Sequence, residues 1–189
     1  MESTQVQQTA DEIIGLYHRK GNSNYIGEEI TQLEHACQSA QFAERDGQDD
    51  EVILAAFLHD LGHLLDEEEN AEDMNGYGVK DHEAIGAEYL KARGFSDKLT
   101  LLIKSHVEAK RYLCAVNKRY YDNLSHASKM TLEFQGGVMS EEEVKTFESN
   151  PFKNLIIKMR TWDEAAKEKD VPLPDLEVYR DKIVQLLSN

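Results

Sequence analysis

An all-α fold is predicted for this chain of 189 residues. Apolar residues recur at helical spacing throughout, few windows alternate with period two, and short Gly, Asn and Pro breaks separate the periodic stretches. The spacing predicts helices over 5–19, 28–46, 50–66, 81–93, 97–115, 118–132, 140–148, 151–169 and 175–187. Gly21-Asn22-Ser23 closes the first and Asp46-Gly47 the second. The third contains EVILAAFLHDLGHLL, apolar around its whole circumference and therefore expected to be buried. Residues 66–80, acidic and then Gly-rich through Asn75-Gly76-Tyr77-Gly78, are expected to form a loop or lid. DHEAIGAEYL makes the fourth helix, closed by Gly94, and LLIKSHVEAKRYL lies in an amphipathic fifth. Gly136-Gly137 follows the sixth. Ser140 with Glu143 is a capping box that opens the seventh. Pro151 at a first helical position opens the eighth, and Pro172-Leu173-Pro174 separates it from the ninth.

Length and the lack of an internal repeat suit a single domain over 1–189. Lys and Arg number 21 against 36 Asp and Glu, a formal charge of −15. That excess argues against nucleic acid or an anionic membrane as partner, since both require a basic surface. It leaves anionic small molecules open, because these respond to the local field of a site. The clusters Asp66-Glu67-Glu68-Glu69 and Glu141-Glu142-Glu143 are expected to be solvated surface. No Gly-rich phosphate loop follows a strand. Cys37 and Cys114 show no CxxC spacing or disulfide framework, which points to a reducing cytoplasm. The N-terminus lacks the basic and apolar regions of a signal peptide, and no apolar run approaches about 18 residues. A cytoplasmic protein with no membrane or evident protein partner is the expectation.

Chemistry concentrates in His35, His59-Asp60, His82, His106 and Asp163, each within a helical pattern. Four imidazoles and two carboxylates match the needs of a non-haem two-metal centre with an oxygen-rich bridge. Asp60 lies in an apolar segment free of Lys and Arg. A buried carboxylate there needs a cation from elsewhere, and a metal is the simplest one. His59 and His63, four apart, would share one helix face, with Asp60 about 100° away. His59 and Asp60 could then address one metal, or Asp60 could bridge two. Asp163, near Lys158, Arg160 and Lys167, reads equally well as a surface ion pair. Lys110 shares the His106 face, where Glu108 or Asp122 could pair with it. Tyr25 and Glu28 would meet if their turn is helical. His18 and His126 are expected at the surface.

The order His35, His59-Asp60, Asp163 resembles the HD-domain superfamily of helical metalloproteins. His82 and His106 add the six-ligand pattern of its two-metal members. The stretches YIGEEITQLEH, LAAFLHDLGH, EDMNGYGVKDHE, GAEYL, HVEAKRYL, LSHASKMTLEFQGG and RTWDE resemble the HD-domain diiron oxygenases that cleave the carbon–phosphorus bond of 1-hydroxyphosphonates. The resemblance implies two irons, mixed-valent Fe(II)/Fe(III), with O2 as co-substrate and a small hydroxyphosphonate as partner. His35, His59, Asp60 and Asp163 would hold one iron, and Asp60 would bridge to a second carried by His82 and His106. Tyr25 would cap an iron until substrate displaces it, and Glu28 would meet the substrate's ammonium group. His63, Lys110, Ser128, Gln135 and Arg160 would line the phosphonate pocket. Tyr25, Glu28, His63 and Lys110 are the catalytic candidates. The implied reaction converts a 2-amino- or 2-trimethylammonio-1-hydroxyethylphosphonate to phosphate and glycine or glycine betaine. Tyr25, Tyr77 and Tyr112 are available to a trimethylammonium group. The alternative is a metal-dependent HD phosphohydrolase acting on a nucleotide or phosphoester.

Overall fold

The computed structural model describes residues 2–25, 27–65 and 72–188, and these are all-α. Ten α-helices run in chain order: α1 Ser3–Lys20, α2 Gln32–Arg45, α3 Asp50–Leu58, α4 His82–Ala92, α5 Asp97–Val116, α6 Lys118–Asn123, α7 His126–Phe134, α8 Glu141–Glu148, α9 Lys153–Ala165 and α10 Glu177–Ser188. A 3-10 turn over Leu61–Leu64 lies between α3 and α4. The apolar helix α3 sits at the centre, packed by α2, α5, α9 and α10. Phe57 is fully buried there between Tyr17 of α1 and Tyr179 of α10, with ring centroids at 4.5 and 4.0 Å. No helix among the described residues is long and apolar enough to cross a membrane.

Several predicted boundaries move, each for a local reason. The second helix begins at Gln32 rather than 28, because Thr31 and Glu34 form a complete capping box. Asn24 and Tyr25 instead pair with Ile30 and Thr31, Asn24 bridged to Thr31 and the Tyr25 N–H donating to the Ile30 carbonyl at 2.8 Å. The predicted helix over 118–132 is two helices, since Ser125 caps a new start by accepting from the Ser128 N–H. Pro151 lies in a turn, and α9 starts two residues later. The seventh predicted helix opens as expected, on the Ser140–Glu143 capping box. Of the predicted loop, residues 66–71, and with them the whole of the first acidic cluster, lie outside the described residues. Residues 72–80 make a tight loop in which Asp73 bridges Val79 and Asn75, Gly76 and Gly78 take positive φ of 54°, 84° and 99°.

The predicted helix over 50–66 is the largest departure. It stops at Leu58 and continues as the 3-10 turn. That turn touches α4 backbone to backbone: a Cβ on Gly62 would lie 2.0 Å from the His82 carbonyl oxygen, and one on Gly86 3.1 Å from the Gly62 nitrogen. Gly62→Ala should therefore force the turn away from α4 and lower stability by about 1–3 kcal/mol. A urea titration of the metal-free protein measures this as a lower midpoint; an unchanged midpoint would contradict the close approach.

Candidate metal centre

Helix α3 delivers its last residues to the middle of the molecule and is held there by Tyr17, whose hydroxyl donates to the Phe57 carbonyl at 2.8 Å. His59 keeps helical dihedrals, with φ −60° and ψ −33°, but Asp60 at −101° and 11° leaves the helix. His59 and His63 therefore do not share a helix face as expected. His59 turns toward α2 and α9, whereas His63 stacks on the His82 ring at 3.9 Å. Asp81, immediately before His82, sits at φ 59°, a left-handed conformation that Asp tolerates better than most residues.

Four imidazoles present the same nitrogen inward. His35 Nδ1 bonds the Ala166 carbonyl at 2.8 Å, His59 Nδ1 that of Ala56 at 2.8 Å, His82 Nδ1 that of Val79 at 3.1 Å and His106 Nδ1 that of Ile103 at 2.7 Å. A carbonyl can only accept, so each ring carries a proton on Nδ1 and, when neutral, has a bare lone pair on Nε2. Those lone pairs converge in two pairs: His35 with His59 at 3.1 Å and His82 with His106 at 3.2 Å. Two bare nitrogens that close repel unless a proton or a metal ion lies between them; against burial, Asp163 raises the pKa of His35 and Asp60 that of His82.

The carboxylates complete both pairs. Asp60 Oδ2 is 3.5 Å from Nε2 of both His35 and His59, while its Oδ1 is 3.3 Å from His82 and 3.5 Å from His106. Asp163 Oδ1 stands 3.4 Å from His35 and 3.8 Å from His59, buried and without a hydrogen-bond partner. Its other oxygen accepts from Arg160, which also binds Glu164 and donates to the Tyr120 hydroxyl at 2.8 Å. Burial alone would keep both carboxyls neutral. For Asp163 the Arg160 guanidinium and nearby imidazoles prevail, and for Asp60 His59 and His82 do, so both titrate well below the usual carboxylate range. Burial and neighbouring His59 push His106 down to about 3.

The donor set fits two cations. His35, His59, Asp163 and Asp60 Oδ2 surround one position, and His82, His106 and Asp60 Oδ1 the other. Asp163 Oδ1 is a buried acceptor that no described residue satisfies, and the inward Nε2 atoms face one another in pairs, as a metal site requires. His63 also lies within 4.8 Å of Asp60 and His82. Its Nδ1, however, accepts from the Val79 N–H at 3.2 Å, so the neutral ring carries its proton on Nε2. Burial and the other histidines hold it well below its ordinary pKa, and so neutral. His63 is a hydrogen-bond donor rather than a ligand.

A pocket opens onto the His82–His106 side of the cluster; His82, His106, Asp60 and Asp163 line it, and His35 and His59 do not. Tyr25, Glu28, His63, Lys110, Ser128, Gln135 and Arg160 line it as well. Tyr25 stacks on His35 at 3.9 Å, and burial followed by Asp163 and Asp60 holds its hydroxyl well above its ordinary pKa. Glu28 reaches Tyr25 through a turn, its N–H donating to the Tyr25 carbonyl at 3.0 Å, and not through a helix. Lys110 is 3 % exposed and pairs with neither Glu108 nor Asp122; its Nζ donates to Thr131 Oγ1 and Gln135 Oε1, each at 2.7 Å. Burial, and then the Arg160 charge, push its pKa down to about 7.

A family profile described as HD domain matches residues 32–145, a span that holds His35, His59-Asp60, His82 and His106 and stops short of Asp163. The chain belongs to the HD-domain family. It is 41% identical over 168 residues to the hydroxymethylphosphonate dioxygenase of Gimesia maris, covering 88% of this chain and 82% of that one. It is 43% identical over 161 residues to the [1-hydroxy-2-(trimethylamino)ethyl]phosphonate dioxygenase (glycine-betaine-forming) of Leisingera caerulea, covering 85% and 81%. A protein of Acanthamoeba polyphaga mimivirus of unassigned activity is 41% identical over 184 residues, covering 97% and 84%.

This HD-domain site thus gathers all thirteen residues that the sequence singled out for it. Tyr77, named for its aromatic face, lines the pocket as well; Gln32, Met74, Thr131 and Lys167, not picked out for it, also line it, and Tyr120 and Glu164 hold Arg160. Thr131 alone carried a signal, lying one turn after Ala127 on the helix that supplies Ser128. His18 and His126 are exposed, as expected. Tyr112 does not join the pocket; it stacks on Phe147 at 4.5 Å and its hydroxyl donates to Glu148.

If one carboxylate serves both positions, Asp60→Ala should lose both metals, whereas His106→Ala should lose chiefly the one on the pocket side. Metal content per chain after desalting measures both. Two metals retained by Asp60→Ala would contradict a shared carboxylate.

Proposed function

We propose that this protein is an O2-dependent oxidoreductase that cleaves the carbon–phosphorus bond of a 2-amino-1-hydroxyethylphosphonate, giving inorganic phosphate and glycine. The observation that carries this reading is the two-sided sharing of Asp60 within a cluster that opens onto a pocket holding Lys110. Likeness to two dioxygenases of hydroxyphosphonates supports it. The reaction balances with one O2 per substrate, since both added oxygen atoms leave in the carboxylate and phosphate.

In this reading His35, His59, Asp60 and Asp163 hold one iron and Asp60, His82 and His106 the other. A mixed-valent Fe(II)/Fe(III) pair would supply Lewis acidity toward the substrate oxygens and electrons toward O2. The protein's own groups bind and orient. Lys110 offers a positive charge on a fixed stem, and an approaching phosphonate dianion would hold that amine protonated. His63 Nε2–H donates to the same anion from the other wall. Ser128 and Gln135 line the phosphonate end, Gln135 by steadying Lys110. Arg160 spends its donors on Asp163, Glu164 and Tyr120, so its part is to hold Asp163 in place. Tyr25, neutral and stacked on His35, closes the site until substrate enters.

Glu28 faces the substrate's second carbon substituent. Its Oε1 accepts no hydrogen bond from any described residue, although Lys167 Nζ stands 3.2 Å away, so an N–H of a primary ammonium has an acceptor there and a trimethylammonium group has no donor to offer it. Of the three tyrosines available to the latter, Tyr25 and Tyr77 line the pocket, but Tyr112 lies elsewhere and His35 covers one face of Tyr25. The primary amine is therefore the favoured substrate.

The direct test is phosphate release from 2-amino-1-hydroxyethylphosphonate by iron-loaded protein in air and under strict anaerobiosis. Release only in air supports oxidative cleavage. Release of phosphate from a phosphoester without O2, with none from the hydroxyphosphonate in air, would move the assignment to hydrolysis. Glu28→Gln should raise KM for the amine substrate roughly tenfold or more while leaving iron content unchanged, because a charge–charge contact is lost and no ligand is. Parallel loss of iron would contradict the role given to Glu28.

A further inference from the structure

Building on the function proposed above, we infer that Lys167 decides how strongly the pocket prefers amine-bearing substrates, by competing with the substrate's ammonium for Glu28. Lys167 lies just beyond the end of α9, four residues after Asp163, and lines the same pocket as Glu28. Its Nζ donates to Glu164 Oε1 at 2.9 Å and stands 3.2 Å from Glu28 Oε1. The Lys167 and Glu28 side chains are withdrawn from solvent, 15% and 19% exposed. The contact with Glu28 is close enough for a strong charge–charge attraction. It nevertheless lacks hydrogen-bond geometry, and Glu28 Oε1 accepts no bond from any described residue. Lys167 therefore answers the charge of Glu28 and leaves its acceptor open.

The local charges explain why this matters. With Asp163 committed to a metal, this end of the pocket holds two carboxylates, Glu28 and Glu164, against two cations, Arg160 and Lys167. It is balanced as it stands. A substrate ammonium brings a third cation to two carboxylates, and in a partly buried pocket like-charge repulsion is only weakly screened. The newcomer gains the vacant Glu28 oxygen but must push the Lys167 charge toward Glu164. A phosphonate without an amine meets no such opposition. Lys167 is thus a specificity-determining residue that narrows the gap between amine-bearing and amine-free substrates.

Binding separates this role from catalysis. The ligands are 2-aminoethylphosphonate and ethylphosphonate, equal in chain length and both lacking the 1-hydroxyl, titrated calorimetrically into metal-loaded protein. In Lys167→Gln the preference for the amine, taken as the ratio of the two Kd values, should rise tenfold or more over the unsubstituted protein. Lys167→Arg keeps the charge and should leave the ratio near its original value. An unchanged or lower ratio in Lys167→Gln, with both ligands still bound, overturns the role of Lys167 and leaves the proposed function standing. An equal rise in both variants makes the effect one of packing and overturns it too. Failure of the unsubstituted protein to bind either ligand would instead remove the phosphonate pocket, and this inference with it.

Discussion

Everything in the centre of this molecule depends on one carboxylate addressed from two sides. Asp60 offers one oxygen to His35 and His59 and the other to His82 and His106. Each of those rings is aimed by a hydrogen bond from its far nitrogen to a backbone carbonyl. Three of the four use the carbonyl three residues earlier in their own segment, as with His59 and Ala56. The fourth, His35, uses Ala166, which ties α2 to the same end of α9 that supplies Asp163. Ring orientation is thus set by backbone that would be in place without any metal, and the ordering cost of assembling the site is met by the fold.

The surroundings show how a strongly acidic chain builds a site for an anion. Net charge says little here, because the pocket field comes from a few charged groups held close together and withdrawn from solvent. Lys110 is buried against Thr131 and Gln135, and no carboxylate among the described residues is bonded to it. Burying an amine this way costs several kcal/mol unless it loses its proton or gains an anion. An anionic ligand would supply the missing partner. Arg160, also buried, already meets two carboxylates, Asp163 and Glu164, and the Tyr120 hydroxyl, so it steadies a carboxylate first. The two cations differ in role because their partners differ.

Much of this could be read from the chain. The helical class followed from spacing, and the six candidate ligands stood out because His and Asp recur in otherwise apolar helical patterns. The places where spacing misled are physical in origin. EVILAAFLHDLGHLL carries no stop signal, and the helix ends at Leu58 because Gly62 is pressed against the His82 backbone, a contact made by residues twenty apart in sequence. Two other boundaries were legible and misplaced: Thr31 with Glu34 and the lone Ser125 are caps that mark starts at Gln32 and His126. The Lys167–Glu28 contact had no local signature, since its partners meet only when α9 packs on α2. Lys110 read as a partner for Glu108 or Asp122 for the same reason, because Thr131 and Gln135 belong to a different helix and its cap.

Both metal positions depend on the double use of Asp60. Anomalous diffraction from a crystal of the iron-loaded protein, collected on both sides of the iron edge, would locate the metals directly. Two iron peaks, one beside Asp60 Oδ2 and one beside Oδ1 and about 3.5–4 Å apart, are what the arrangement predicts. A single peak, or a second one away from His82 and His106, would contradict it.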